Sequence, residues 1–206
     1  LTHHQKCGIK HFYDIERRIP YKEINMVESY LKKMLFSIDP TLNLIICGSY
    51  RRRCMDSGDI DILIYRKICN QNKHKNHPKV GLSGFLGKLK ENGFIVDDLT
   101  DIGSKTKYMG FYLFDKYVRR MDVRMVSYES LPCAMLYFTG SGDFNKNMRT
   151  LALKQNISIN EYGVYTVDKQ KNKLENHNIK TEEDIFKLLG IHYVEPWDRL
   201  PNYKFG

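Results

Sequence analysis

Two aspartates one residue apart, Asp59-Ile60-Asp61, open the apolar, β-branched run Ile60–Tyr65 and constrain this 206-residue chain more than any other feature. A strand sends alternate side chains to opposite faces, so Asp59 and Asp61 share one face while Ile60 and Ile62 point to a core. Like charges at that spacing repel, and burying them unpaired is costly. A divalent cation that takes hard oxygen ligands, such as Mg2+, removes the cost. Asp-x-Asp alone would equally fit two exposed acids on an edge strand, so the preceding residues decide. The apolar run Leu42–Cys47 reads as a buried strand and ends at Gly48-Ser49, followed by Arg51-Arg52-Arg53. Glycine allows close backbone approach, and serine adds a hydroxyl and an amide donor. Arginine recognises phosphate bidentately. Acids that suit a metal and donors that suit phosphate thus meet at neighbouring strand ends, which is what handling a metal–triphosphate requires.

A third acid lies in Arg119-Arg120-Met121-Asp122-Val123-Arg124-Met125. Period 2 puts Arg120, Asp122 and Arg124 on one face and Met121, Val123 and Met125 on the other. Asp122 could simply pair with its arginines. If this strand lies beside Asp59–Asp61, three carboxylates converge instead, enough for two metal ions that clamp the attacking and leaving oxygens of a phosphoryl transfer.

The charge balance agrees with a polyanionic partner. Lys+Arg is 33 against 24 Asp+Glu, a formal net charge of +9, which favours DNA, RNA or an acidic membrane surface. No window approaches 18 consecutive apolar residues, so a helical membrane span is excluded. No signal peptide opens the chain, which starts at Leu1 rather than Met, so a preceding segment is expected upstream. The 5 cysteines are odd in number and form no Cys-x-x-Cys. Free thiols in a reducing, intracellular compartment are therefore expected; the sequence does not decide between a nuclear and a virus-associated setting. Cys69, His74 and His77 cluster in the polar loop Lys67–Lys79, but with no fourth ligand a solvated loop is favoured over zinc.

Periodicity predicts helices over Ile24–Phe36, Ser83–Asn92 (closed by Gly93), Glu129–Phe138, Phe144–Gln155 and Thr181–Leu189, the last opening with a capping box from Thr181 to Asp184. Strands are predicted at Leu42–Cys47, Ile60–Tyr65 and Phe94–Val96, and a hairpin at Tyr108–Phe114 and Tyr117–Val126 turning at Asp115-Lys116. A small sheet is predicted around Glu161–Val167. The order is mixed, with hairpins rather than repeated βαβ units, so the fold class is α+β. The expected division is a helical lead-in over 1–17, a larger domain over 18–127 with a mixed or antiparallel sheet, and a smaller α+β subdomain over 128–206.

Gly48-Ser49, Asp59-x-Asp61 and Asp122 together resemble the nucleotidyltransferase superfamily. Further motifs narrow the resemblance to the family X DNA polymerases: Tyr137-Phe138-Thr139-Gly140-Ser141, then Phe144-Asn145-Lys146-Asn147-Met148-Arg149, the tail Asp184-Ile185-Phe186 to Glu195-Pro196, and the opening Leu1-Thr2-His3-His4-Gln5 to Arg18-Ile19-Pro20. The resemblance covers nearly the whole chain. It implies that Asp59, Asp61 and Asp122 are catalytic and hold two Mg2+ ions, with Mn2+ able to substitute. It implies that Gly48, Ser49, Arg52 and Gly58 hold an incoming deoxynucleoside triphosphate, with Arg18 at its terminal phosphate. Tyr137, Phe138 and Gly140 would flank the sugar, and Asn145 would meet the base edge. Thr106, Lys107, Arg120, Lys146 and Arg149 would touch DNA.

The implied activity is template-directed, gap-filling DNA synthesis on primer–template or gapped DNA, by a monomer. Two rivals stand beside it: a nucleotidyltransferase for RNA or a small acceptor, and a DNA-binding fragment inactive without a missing N-terminal domain. Members of the beta type carry a lyase domain and a helix-hairpin-helix before the segment matched here, so no lyase activity is assigned. Arg53 and Cys54 replace the small residues the family usually has after its arginine pair, and Gly142 replaces an acid. The short Phe114–Tyr117 hairpin favours templated synthesis, since a long loop there goes with template-independent extension.

Overall fold

The computed structural model describes residues 1–66 and 80–205, so the Lys67–Lys79 loop with Cys69, His74 and His77 lies outside the described residues. In chain order the elements begin with helices α1 (His3–Lys10) and α2 (Phe12–Ile15), strand β1 (Ile19–Pro20), helix α3 (Tyr21–Ile38), strand β2 (Leu42–Ile46) and the single-turn helix α4 (Gly48–Arg51). Strands β3 (Asp56–Ser57) and β4 (Ile60–Arg66), helix α5 (Leu82–Glu91) and strands β5 (Ile95–Asp98), β6 (Lys107–Phe114) and β7 (Tyr117–Val126) follow. Helices α6 (Leu131–Thr139) and α7 (Gly142–Lys154), strands β8 (Ile157–Ile159), β9 (Val164–Val167) and β10 (Lys173–Asn176), and helix α8 (Glu182–Leu188) complete the chain, with a 3-10 turn at Pro196–Asp198. The expected α+β class is the observed one. The chain forms two compact units, one of Leu1–Ile46 with Met55–Val126, the other of Cys47–Cys54 with the residues from Ser127 onward.

The first unit is built on a five-stranded mixed sheet ordered β2-β4-β7-β6-β5. β2 and β4 are antiparallel, β4 and β7 parallel, and β7, β6 and β5 antiparallel in turn. Ile60, Ile62, Leu63 and Ile64 of the interior strand β4 are all buried, as a strand covered on both faces requires. The α3 stripe Ile24, Val27, Leu31 and Leu35 is buried, and α3 packs against β2. The residues between carry charge, which gives the helix its solvent face. Leu82, Phe85, Leu86 and Leu89 do the same for α5. Gly93 follows α5 at φ +70°, the left-handed position glycine occupies without strain. The hairpin turn at Asp115-Lys116 has Asp115 at φ +54°, again left-handed and tolerated by aspartate. Two features went unexpected. The turn after β2 winds into α4, and Ile19–Pro20 pairs with Asp56–Ser57 as a two-residue ribbon.

Asp39 is a buried hub of this unit. Its carboxylate accepts from Thr41 N at 3.0 Å, Thr41 Oγ1 at 2.6 Å, Arg66 Nη1 at 2.9 Å and Val80 N at 3.3 Å. It thereby ties the end of α3 to both edges of the β2–β4 pair. Burial pushes its pKa up, but the bonds from Thr41 and Arg66 outweigh it and hold the carboxyl below its usual value.

In the second unit, α6 starts with Pro132 in its first turn, where a missing N–H costs nothing. Ser141 caps α7, its hydroxyl accepting from Phe144 N at 3.4 Å. Phe144, Met148, Ile157, Ile159, Val164, Ile185 and Phe186 form the core under the three-stranded sheet β10-β9-β8. The expected Thr181–Asp184 capping box is present on α8.

Asp39→Asn should destabilise the protein by about 2 kcal/mol at pH 7 in chemical denaturation. A carboxyl with a depressed folded pKa contributes stability that is lost as pH falls through that pKa. The wild-type advantage should therefore shrink below about pH 4; a constant difference from pH 7 to pH 3 would contradict this role.

Candidate active site

The first unit positions the acids. Parallel pairing sets Asp61 opposite Asp122, with Ile60 opposite Met121 and Ile62 opposite Val123. Asp59 stands immediately before β4. Met121 and Val123 are fully buried, so the alternation expected of β7 holds. The side chains differ from the expected convergence of three carboxylates. Arg120 Nε donates to Asp59 Oδ2 at 3.1 Å, and Arg120 Nη2 reaches the same oxygen. Arg124 Nη2 donates to Asp122 Oδ2 at 3.3 Å. Among the described residues no three acids, cysteines or histidines enclose a cation position. The physical reason is local: like charges repel, and the arginines two residues either side of Asp122 are the nearest counterions.

The acids nonetheless suit a metal. Asp122 Oδ1 is buried and takes no hydrogen bond, although Arg124 Nε lies 3.2 Å away. Burial raises the Asp122 pKa, the Asp59 charge adding to the rise while Arg124 and Arg120 oppose it. A buried acceptor without a hydrogen bond, next to a second acid in register, is the hard-oxygen chemistry a divalent cation satisfies.

The β1–β3 ribbon brings Arg18 to Gly58. Arg18 Nε donates to Asp56 Oδ1 at 2.9 Å, and Nη2 donates to Asp56 O at 3.3 Å. A Cβ on Gly58 would lie 3.0 Å from Arg18 Nη1, so glycine leaves room for the exposed guanidinium close to the backbone. Thr106 and Lys107 are exposed at the start of β6, where Lys107 pairs with Arg124 and Thr106 O accepts from Met125 N at 2.8 Å.

In the second unit Gly48 opens α4 at φ +59°, and Ser49 lies in that single turn. The three following arginines, read from sequence as one phosphate-binding group, have three different surroundings. Arg51 Nη1 donates to Thr139 Oγ1 at 2.7 Å and to Glu182 Oε1 at 3.1 Å, with Nη2 on Glu182 Oε2. Arg52 Nη1 donates to Thr139 O. Arg53 has φ +60°, and its guanidinium lies 3.7 Å from the centre of the Trp197 ring. A left-handed backbone costs a residue with a Cβ about 1–2 kcal/mol, and stacking on tryptophan returns about 0.5–2 kcal/mol. Arg51 is thus a structural residue rather than a free phosphate donor.

Tyr137 and Phe138 end α6 with their rings 5.0 Å apart, edge to face. Gly140 follows at φ +66°, and a Cβ there would lie 3.2 Å from Arg52 Nη1. Asn145 Nδ2 donates to Tyr137 O at 2.6 Å. Tyr137, Asn145 and Arg149 line the rim of a cleft floored by Cys133, Leu136, Met148 and Ile159. Lys146 and Arg149 are exposed on α7.

The pairing of Asp122 with an arginine of its own strand, open from the period-2 pattern, is made by Arg124. Sequence reasoning missed Arg199, which is wholly buried. Arg199 Nη1 donates to Glu182 Oε1 at 2.7 Å and Nε to Val194 O at 3.0 Å. No local pattern marks a buried arginine, because its partner lies on another element.

A mixed sheet with an Asp-x-Asp strand beside a third acid, reached through a Gly-Ser turn, is the class of site expected of a nucleotidyltransferase palm. Residues 18–128 match the DNA polymerase beta palm model and residues 134–200 the DNA polymerase beta thumb. The chain therefore belongs to the family X DNA polymerases. It is 34% identical to DNA polymerase lambda of Rattus norvegicus over 211 residues, covering 97% of this chain and 36% of that protein. It is 30% identical to DNA polymerase lambda of Arabidopsis thaliana over 216 residues, covering 97% of this chain and 40% of that one. The chain thus spans well under half of these relatives. A crystal structure of Leishmania infantum polymerase beta, a "Ternary P/T complex", superposes with a TM-score of 0.84 at 30% identity, covering 98% of this chain and 83% of the other. No helix among the described residues is long and apolar enough to cross a membrane.

Glu182 is 5% exposed and serves both Arg51 and the wholly buried Arg199. Glu182→Ala should cost about 3 kcal/mol in chemical denaturation, because two guanidinia lose their counter-charge. A loss under about 1 kcal/mol, the range of an exposed pair, would contradict the assignment.

Proposed function

We propose that this chain is a template-directed DNA polymerase that adds deoxynucleotides to a primer 3′-hydroxyl in gapped DNA. The observation that carries the reading is the parallel register of Asp61 with Asp122, with Asp59 one step before β4. Mg2+ held by Asp59, Asp61 and Asp122 would supply the positive charge that neutralises the attacking and leaving oxygens. The remaining work falls to the chain itself. Asp122 Oδ1, buried and without a hydrogen bond, is suited to take the proton of the attacking hydroxyl. Arg120, half exposed beside Asp59, approaches the primer terminus. Arg18, close to Gly58, and Arg52 with Ser49 supply donors to the triphosphate.

Tyr137, Phe138 and Gly140 flank the sugar, and Asn145, already bonded to Tyr137 O, meets the base edge. Lys146 and Arg149 on α7, with Thr106 and Lys107 on β6, meet DNA phosphates and bases. The two-residue turn between β6 and β7 supports templated rather than template-independent extension. Free thiols at Cys7, Cys47, Cys54 and Cys133 suit a reducing compartment, the nucleus among them. A monomer suffices for all these roles.

Primer extension on gapped DNA with Mg2+ and four dNTPs tests the reading. Wild type should insert the templated nucleotide, and Asp61→Asn should lose at least about a thousandfold in kcat. Equal activity in the two proteins would overturn it. Binding to gapped DNA should also weaken steeply as salt rises, because phosphate contacts release counterions. A flat response between about 50 and 200 mM salt would contradict a phosphate-dominated interface.

A further inference from the structure

Three consecutive arginines grip the second unit at three places, and the third grip is of a different kind. Arg51 is fixed by Glu182 and Thr139, and Arg52 by the Thr139 carbonyl. Arg53 has no carboxylate within salt-bridge distance among the described residues, and its guanidinium instead covers Trp197 at 3.7 Å. It does so from a left-handed backbone, φ +60°. Trp197 is the only tryptophan in the chain and is 39% exposed, so the stack is open on one side and not a packed core contact.

The turn it closes leads straight back to the proposed triphosphate donors. Arg53 N donates to Tyr50 O at 2.9 Å, and Cys54 N donates to Ser49 O at 3.0 Å. Any change in the backbone at Arg53 is therefore passed to Ser49 and Arg52 through the peptide chain and these two bonds. On the far side Trp197 belongs to the 3-10 turn two residues before Arg199, which is locked on Glu182. One end of the stack is thus anchored and the other is a strained turn.

We propose that the Arg53–Trp197 stack is a positioning latch that fixes the Ser49–Arg52 turn for the triphosphate and so sets the affinity for the incoming nucleotide. This rests on the polymerase reading above. A glycine would take the left-handed conformation without strain, and it would leave the turn free to adopt other shapes. The arginine trades that freedom for one conformation, held from outside by the indole. Preorganised donors bind phosphate more tightly because less ordering is left to do on binding. Neither Arg53 nor Trp197 is assigned contact with substrate.

Steady-state extension on gapped DNA, with Arg53→Gly, Trp197→Ala and Trp197→Phe beside wild type, tests the latch. Arg53→Gly and Trp197→Ala should each raise the KM for dNTP about fivefold with kcat within about twofold. Trp197→Phe keeps an aromatic face for the guanidinium and should stay within about twofold of wild type in KM. Arg53→Gly relieves backbone strain, so its melting temperature should not fall, which a merely structural role would not combine with a raised KM. The sole tryptophan reports the stack directly: Arg53→Gly should change the emission of Trp197 with no substrate present. Unchanged KM in Arg53→Gly and Trp197→Ala, equal KM in Trp197→Phe and Trp197→Ala, or unchanged emission would each overturn the latch while an active wild type kept the polymerase reading. A wild type that extends no primer would overturn both.

Discussion

Two carboxylates on adjacent parallel strands, Asp61 of β4 and Asp122 of β7 in direct register, set the terms for the first unit. Such a pair is unfavourable unless positive charge is near. The protein answers with arginines on the same strand, Arg120 beside Asp59 and Arg124 beside Asp122. The rest of the sheet makes that placement rigid. β4 is buried on both faces, β2 and the long helix α3 cover one side of the arrangement, and the β6–β7 hairpin fixes the register of β7 from its other edge. A one-residue slip of β7 would turn Asp122 into the core and Met121 or Val123 out of it. The fully buried Met121 and Val123 therefore hold the acid in place as much as the hydrogen bonds do.

The same economy of charge recurs with a different outcome in the second unit. Glu182 lies between Arg51 and Arg199, all three largely out of solvent. Removing water from such a cluster is expensive, and its net value is better sought in specificity than in stability. It fixes the turn after β2 to α8 and to the 3-10 segment with one carboxylate, in one geometry. Arg199 also lies within 5.7 Å of the rings of Phe144, Phe186 and Tyr193, so the buried charge is walled by the negative faces of aromatic rings. Of three successive arginines, Arg51 is held by Glu182 and Thr139, Arg52 by the Thr139 carbonyl, and Arg53 lies over Trp197.

Much of this was legible in the sequence, and the exceptions share a cause. Alternation around Ile60-Asp61-Ile62 and around Met121-Asp122-Val123 gave strand, face and core residues directly, because a strand's two faces are written in its own residues. The Asp115-Lys116 turn and the Thr181–Asp184 capping box are equally local. The parallel neighbourhood of β4 and β7 could only be posed as a condition, since it depends on pairing across some sixty residues of chain. Asp39, Arg119 and Glu182 carried no expected role. Arg119 is in fact 3% exposed and paired with Glu23. Each is a buried charge whose partner comes from a distant segment, and hydrophobic patterning places charges outside. Pairing of Asp122 with its own arginines was weighed from sequence as an alternative to converging acids; the structure holds that pairing and the register together, and adds Arg120 on Asp59.

The proposed cation site at Asp61 and Asp122 is most directly tested by Mn2+ binding to the protein without nucleotide or DNA, read through water-proton relaxation. Wild type should bind and immobilise Mn2+, and Asp122→Asn and Asp61→Asn should each weaken that binding by about tenfold or more. Mn2+ affinity unchanged in both variants would contradict the view that these paired carboxylates are built to hold a metal.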